Sequence, residues 1–410
     1  MNRFLETPVQ KIIIPFFAAT FIFWGTSWEL PVFEIPPSYV WIFLILVSAI
    51  VLPSAPLNKK VALLSLILLG YFCIMSLVAL PKIIAVDKGG DLIYLFLYTL
   101  KLIIGIVSLF VLQKVFRDFS DIRLFAFYSC LLFVPLGLLL WYQYKVQFGV
   151  GYVGVQLDAP SKLGKNSFAT ALLIIAPFFF VNLKEKTTYR LASFSAILIY
   201  LLMVYGIGSR SMLIISVLQV FLYLLYTLRK SISIPIVIGS ITMILIFGGV
   251  LLNNFLTRTT LAEEQVTTNQ MIGTLSESHR ARLARTAISG SIDNIGLGHG
   301  TATFRVNGAR GASFSHTEYE RTETHNDYFN ILYEQGVFGF FLIMFLVLHR
   351  IRDSQRLLRA TNHPMVKASL ISLISALLAM FFANFISALI FWLSLGLNIA
   401  IANILRRQQI

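Results

Sequence analysis

Long apolar runs separated by short polar connections dominate the chain. An α-helix needs about 20 apolar residues to cross a hydrocarbon core, because each residue advances it only ~1.5 Å. Such runs predict spans near residues 12–28, 38–53, 61–80, 92–113, 124–143, 167–183, 191–207, 211–228, 233–252, 328–348, 366–383 and 385–405. These make twelve, which leaves both ends on one side. Two interruptions are long, 144–166 and 253–327, and both fall on the opposite side. The expected fold is all-α, a polytopic integral membrane protein with a large loop between helices 9 and 10. It divides into helices 1–9 (1–252), a loop subdomain (253–327) and helices 10–12 (328–410). Loops longer than about 15 residues in a compact protein are functional or disordered. The second loop has the composition of an ordered one: a helix-like piece, "SESHRARLARTAISGSI", and a glycine-rich turn, "NIGLGHGTA".

Composition agrees with the pattern. Of the 410 residues 57% are hydrophobic, and the mean hydropathy is +0.79. The 33 Lys and Arg against 19 Asp and Glu give a formal charge of +14, which on a soluble protein would suggest nucleic acid. Location decides otherwise. More than half of these cations sit at the ends and in the connections on one side, such as "NKK", "NLKEKTTYR", "LRK" and "HRIRDSQRLLR". The positive-inside rule puts that side and both termini in the cytoplasm, and the two long loops outside. The charge therefore reports topology, and no nucleic-acid partner is expected. The first apolar run follows the positive start "MNRFLETPVQK", yet "GTSWELPVFE" is a poor cleavage site, so it is expected to be retained. Cys73 and Cys130 lie within spans and have no disulfide or metal spacing.

Candidate chemistry lies on the outer side. In "THNDYFNILYEQGVFG", residues 324–339, Thr324 and Asp327 fit the S/T-x-x-D/E cap, which predicts a helix starting at His325. The unpaired N–H groups of the first turn then disfavour an imidazolium and leave His325 neutral, able to take a proton, with Asn326 in reach to fix its tautomer. The plain alternative is a polar helix start. His279, His299 and His316 share the loop and are not separated from His325 by periodicity. Glu334 and Gln335 follow deeper in the helix, where an acid serves a polar channel or bonds a neighbouring helix. Gly336 and Gly339 permit close helix packing.

The long loop contains Arg258, Arg280, Arg282, Arg285, Arg305, Arg310 and Arg321, and no lysine occurs between Lys230 and Lys367. A guanidinium fork binds phosphate oxygens in pairs and stays charged, so the functional reading is a pyrophosphate clamp; the alternative is a solvated loop. Arg210, in "YGIGSRSML", sits in a tight outer turn between two spans, to pair with an anion or to snorkel to headgroups. Lys162, Lys165 and Asn166, in "SKLGKNSF", place cations at the outer start of a span, suited to an anionic headgroup. No Walker A motif, strand-borne GxGxxG, DxD pair, HExxH or CxxC occurs, so no metal site and no cofactor is expected.

"HNDYFNILYEQGVFG" resembles the H-[N/S/Q]-x9-G-x-x-G pattern of the bacterial O-antigen ligases, within the O-antigen ligase/polymerase superfamily. "HRARLARTAISGSIDNIGLGHG" is similar to that family's arginine, short helix and G-x-G-x-G turn, and "GSRSML" resembles its outward arginine between consecutive spans. The motif resemblance covers about 205–340, and the topology covers the whole chain.

The resemblance implies a GT-C-like membrane glycosyltransferase of the inner membrane with a periplasmic active site. Its donor would be a glycan on undecaprenyl pyrophosphate, its acceptor a hydroxyl of lipid A–core. It implies His325 as the base, Arg210 and Arg280 as donor-pyrophosphate ligands, and Asn326, Lys165, Asn166 and Glu334 as supporting residues. Ala284 stands where the family often has an aromatic, so Arg282 or Arg285 is an alternative counterpart to Arg280. An O-antigen polymerase, joining lipid-linked repeat units, is the alternative within the superfamily. A flippase for the same lipid is a third reading, and it predicts inverted repeats or broken helices in corresponding halves.

Overall fold

The computed structural model describes residues 3–23, 37–52, 59–85, 91–148, 165–207, 210–228, 283–305, 326–381 and 389–408. Among these residues there is no strand. The helices are α1 (Arg3–Phe23), α2 (Pro37–Val51), α3 (Lys59–Ile84), α4 (Asp91–Val115), α5 (Phe119–Phe148), α6 (Lys165–Phe179), α7 (Thr187–Ile207) and α8 (Arg210–Leu228). A helix at 283–293 is α9. Then follow α10 (Asp327–Thr361), α11 (Pro364–Ala379) and α12 (Leu389–Gln408). The span expected at 233–252 lies outside the described residues.

Among the described residues five helices are long and apolar enough to cross a membrane: α3, α4, residues Phe119–Tyr142 of α5, residues Thr187–Val204 of α7, and α10. Their outward faces show why the fold needs lipid. On α10, Phe338, Phe341, Phe345 and Leu348 are all more than half exposed, at helical spacings of three and four residues. In water such a stripe would be a large aggregation-prone patch; against acyl chains it costs nothing.

The core is organised around α12, whose residues 390–402 are all buried. It packs most extensively on α4. Contact is close because Gly105 of α4 has no Cβ: one placed there would lie 2.2 Å from Cδ1 of the fully buried Trp392. With no hydrophobic drive between helices in lipid, such small-residue contacts and interhelical hydrogen bonds hold the bundle together. Ser372 of α11 bonds Ser394 of α12 at 3.0 Å. Tyr200, Ser216, Gln219 and Ser375 form a chain joining α7, α8 and α11.

Two departures from the sequence pattern have a visible local cause. Helix α5 begins at Phe119 instead of near 124, capped by Asp118, whose Oδ1 accepts the Ser120 N–H at 2.7 Å and the Asp121 N–H at 3.0 Å. The basic stretch "HRIRDSQRLLR", read as part of a connection, instead continues α10 to Thr361. It is built from good helix formers, and it ends at Asn362 in the left-handed conformation (φ 51°), a common helix stop. His363 and Pro364 then start α11, with the His363 side chain accepting the Met365 N–H at 3.3 Å.

Candidate active site

The mouth of α10 is set by Asn326, in place of the expected Thr324 cap. Asn326 is extended (φ −151°, ψ 110°), and its Oδ1 accepts the N–H groups of Tyr328 at 3.0 Å and Phe329 at 3.3 Å. The helix therefore starts at Asp327, and His325 precedes the cap instead of entering the first turn. Asparagine is among the strongest N-caps, and its carboxamide satisfies two donors that Thr324 would have left to water. The mouth is also fastened to the end of α11. Asp327 N donates to Met380 O at 2.8 Å, Tyr328 Oη to Leu377 O at 2.8 Å, and Asn326 Nδ2 to Phe381 O at 3.3 Å.

Nine residues into α10 the helix breaks. Gly336 has φ 64° and ψ −175°, a backbone state that an L side chain rarely adopts. The break frees carbonyls and N–H groups, and the glycine-rich turn after α9 takes them. His299 N donates to Tyr333 O at 2.9 Å and Gly300 N to Glu334 O at 2.9 Å. In return Val337 N donates to Ile295 O at 2.9 Å and Phe338 N to Gly296 O at 3.3 Å. The turn thus runs as a strap across the broken helix. A Cβ on Gly336 would lie 2.4 Å from Gly296 O, and one on Gly298 would lie 2.3 Å from Gly336 N. The expected packing role for Gly336 is replaced by this break. Gly339 does serve packing, since its Cβ would lie 2.6 Å from Cε1 of Tyr71.

Side chains hold the strap from both faces. Tyr71 Oη of α3 donates to the Gln335 carbonyl and to Leu297 O. Lys82 Nζ donates to His299 O at 2.8 Å, and Thr301 N donates to Met75 O at 3.1 Å. The His299 ring stacks on Tyr333 at 4.4 Å, with Nε2 2.8 Å from Gly290 O. His299 is thereby committed to the strap, which separates it from His325 as the sequence could not.

Asp327, Asn330 and Glu334 lie at spacings of three and four, on one face of the short half-helix, and all are buried. Buried polar groups at the end of an apolar bundle are costly unless partnered, and Asn330 and Glu334 face polar partners. Asn330 Nδ2 reaches Tyr98 Oη of α4 at 3.4 Å. Glu334 Oε1 accepts the Phe304 N–H at 3.3 Å, so this acid bonds the strap rather than a neighbouring span. Gln335 Nε2 donates to Thr301 Oγ1 at 3.1 Å. One turn before Tyr98, the Tyr94 ring lies under Arg305, whose Cζ is 4.0 Å from the ring centroid.

Of the candidate residues, Asn326 and Glu334 are therefore in the mouth of α10. Arg285 is on α9 and exposed. Lys165 and Asn166 open α6, and Arg210 opens α8, with their side chains outside the described residues. His325, Arg280, Arg282 and Lys162 lie outside the described residues altogether. Sequence reading missed Tyr94, Tyr98 and Asn330. The usable signal was two tyrosines four residues apart in the outer turns of α4, "DLIYLFLY".

Residues 195–344 match the family model described as O-Antigen ligase. The match runs from α7 through the strap and ends in α10 beyond the break at Gly336. No curated protein matches the chain.

Proposed function

We propose that the chain, whose residues 195–344 match the family model described as O-Antigen ligase, is an O-antigen ligase. It transfers a glycan from undecaprenyl pyrophosphate to a sugar hydroxyl of lipid A–core at the periplasmic face of the inner membrane. A multi-pass membrane protein with this family's domain is an O-antigen ligase/polymerase-type enzyme; the donor, the acceptor and the residue roles are our reading.

The observation that carries the reading is the fastening of the α10 mouth. Asn326 is held by its capping bonds and by the end of α11, and Gly336, with nine residues between, is locked under the strap. The family spacing of His-Asn, nine residues and Gly thereby acquires a mechanical meaning. It fixes the helix start against a rigid platform. Catalytic groups must be held to within a fraction of an ångström to be effective.

In the proposed reaction the imidazole of His325 takes the proton of an acceptor hydroxyl as its oxygen attacks the anomeric carbon. The bond from that carbon to the pyrophosphate oxygen breaks, and the electron pair leaves on undecaprenyl pyrophosphate. Arg210 and Arg280 bind the departing charge, with Arg282 or Arg285 as the alternative to Arg280. A single displacement inverts the anomeric configuration. Lys165 and Asn166, at the N-terminus of α6, support the donor headgroup, and Glu334 supports the strap.

The test is a transfer assay with purified protein, a defined lipid-linked donor, and either lipid A–core or a second donor molecule as acceptor. Transfer to lipid A–core is expected. Transfer only to a second donor molecule would make the enzyme a polymerase, and a deletion strain that keeps a single core-attached repeat unit would say the same.

A further inference from the structure

Arg305 stands at the end of the strap. The preceding Phe304 is anchored twice, by its N–H on Glu334 and by its ring, edge-on to Tyr333 at 5.1 Å. That anchoring delivers the Arg305 guanidinium onto Tyr94, 4.0 Å from the ring centroid. The residue is half-buried, and among the described residues no carboxylate pairs with it. Its Nε is buried with no hydrogen-bond partner.

A ring attracts the face of a guanidinium and takes none of its N–H donors, which lie in the plane of the fork. The ring contact holds the guanidinium in place, and the Nε–H remains without an acceptor. A buried N–H without an acceptor is unfavourable, and an ionised one more so. The natural occupant is an anion offering two oxygens in one plane, and phosphate is the best match. The surroundings suit a phosphate on a lipid: the Tyr94–Tyr98 edge of α4 carries hydroxyls, and the Asn330 carboxamide lies beside Tyr98.

We propose that Arg305, held flat by Tyr94, binds a phosphate of the polyprenyl pyrophosphate donor. The inference rests on the functional reading above, because it takes its ligand from that reaction. The Tyr94 platform makes it a positioned fork, so lysine, a point charge without a planar edge, replaces it only in part.

The test is equilibrium binding of undecaprenyl pyrophosphate to the full chain in nanodiscs, with undecaprenol, phosphatidylglycerol and inorganic pyrophosphate as comparison probes. Arg305→Gln should weaken undecaprenyl pyrophosphate binding about tenfold or more, the size of one charge-assisted contact, and leave undecaprenol binding unchanged. Arg305→Lys should fall between, and Tyr94→Leu should move binding the same way by less.

Wild-type affinity in Arg305→Gln and Arg305→Lys overturns the inference while leaving the functional reading intact. Equal loss of undecaprenol binding overturns it in favour of a structural role. Competition by phosphatidylglycerol as strong as by the pyrophosphate lipid assigns the site to bulk headgroups and overturns it too. A wild-type protein that binds undecaprenyl pyrophosphate no better than undecaprenol overturns the functional reading itself.

Discussion

Two arginines at opposite ends of α10 are handled in opposite ways. Arg350 lies about 21 Å along the helix from Gly336, at ~1.5 Å per residue. It is fully buried, and each of its three guanidinium nitrogens is bonded. Nη1 bonds Asp353 Oδ2 at 2.6 Å, while Nε and Nη2 both reach Asn398 Oδ1 at 3.2 Å. Arg406 closes the other oxygen of Asp353, and Ser354 and Ser369 complete Asn398. Arg305 has a ring and an unmatched Nε. A cation whose nitrogens are all engaged joins helices together. One whose donors are held in place and unspent is arranged for something that arrives. Burial alone does not separate the two cases; the inventory of donors does.

The sharpest contrast should come from chemistry at the outer end. His325→Ala should lower glycan transfer at least about 100-fold, the lower range for loss of a positioned base, with little change in thermal stability. Transfer within a few-fold of wild type in the purified assay would remove His325 from the mechanism.

At the other end the loss should appear as stability. Asp353→Ala leaves Arg350 buried with only Asn398 as partner, and should cost roughly 3 kcal/mol in detergent unfolding. Donor binding should remain near wild type in the protein that stays folded. A reduced donor affinity there would erase the distinction between the two ends.

Gly336→Ala tests whether the strap depends on the break. A Cβ must meet the strap backbone at 2.4 Å, in a backbone state that itself costs about 1–3 kcal/mol. Faster hydrogen exchange across 295–301, together with reduced transfer, is the expected result. Unchanged protection would mean that the strap docks without Gly336.

Asn326→Ala removes one cap, worth about 1 kcal/mol. It should loosen the mouth of α10 without moving Arg350, so exchange at Tyr328 and Phe329 rises while exchange around 350 does not.

The smallest effect belongs to His363, between α10 and α11. Burial, and then the charge of Arg123, hold its imidazole below the ordinary histidine range. Its ring stacks on Phe119 at 4.1 Å, and Nδ1 accepts the Met365 N–H. Protonation removes that acceptor and adds charge at a helix N-terminus. A depressed folded value means that the stability is present above the unfolded histidine range and falls as pH drops below it. His363→Gln should flatten that acid-side slope, measured as melting temperature between pH 7 and 5.

Much of this was legible beforehand, for definite reasons. Apolar runs report spans because lipid leaves the backbone no other way to satisfy its polar groups. The His-Asn-x9-Gly string marked the right helix, and the lysine-poor loop drew attention to arginine. The cap moves from Thr324 to Asn326 because both residue types suit a cap, and only the partners of the carboxamide choose between them. "HRIRDSQRLLR" was read as a connection because charge usually ends a span. It stayed helical because it is built from good helix formers, and its buried Arg350 is held by Asp353 within the stretch and by Asn398 of α12, 48 residues away in sequence.

The sequence by itself determined the helical membrane class, the family-like motif and the residue types at the outer mouth, since each depends on composition and local spacing. Tertiary structure alone decided that Gly336 is a break, that the glycine-rich turn is a strap, that His299 is spent on it, and that Tyr94 lies beneath Arg305. Those facts depend on groups far apart in the chain meeting at hydrogen-bond distance, and no local pattern encodes the partner.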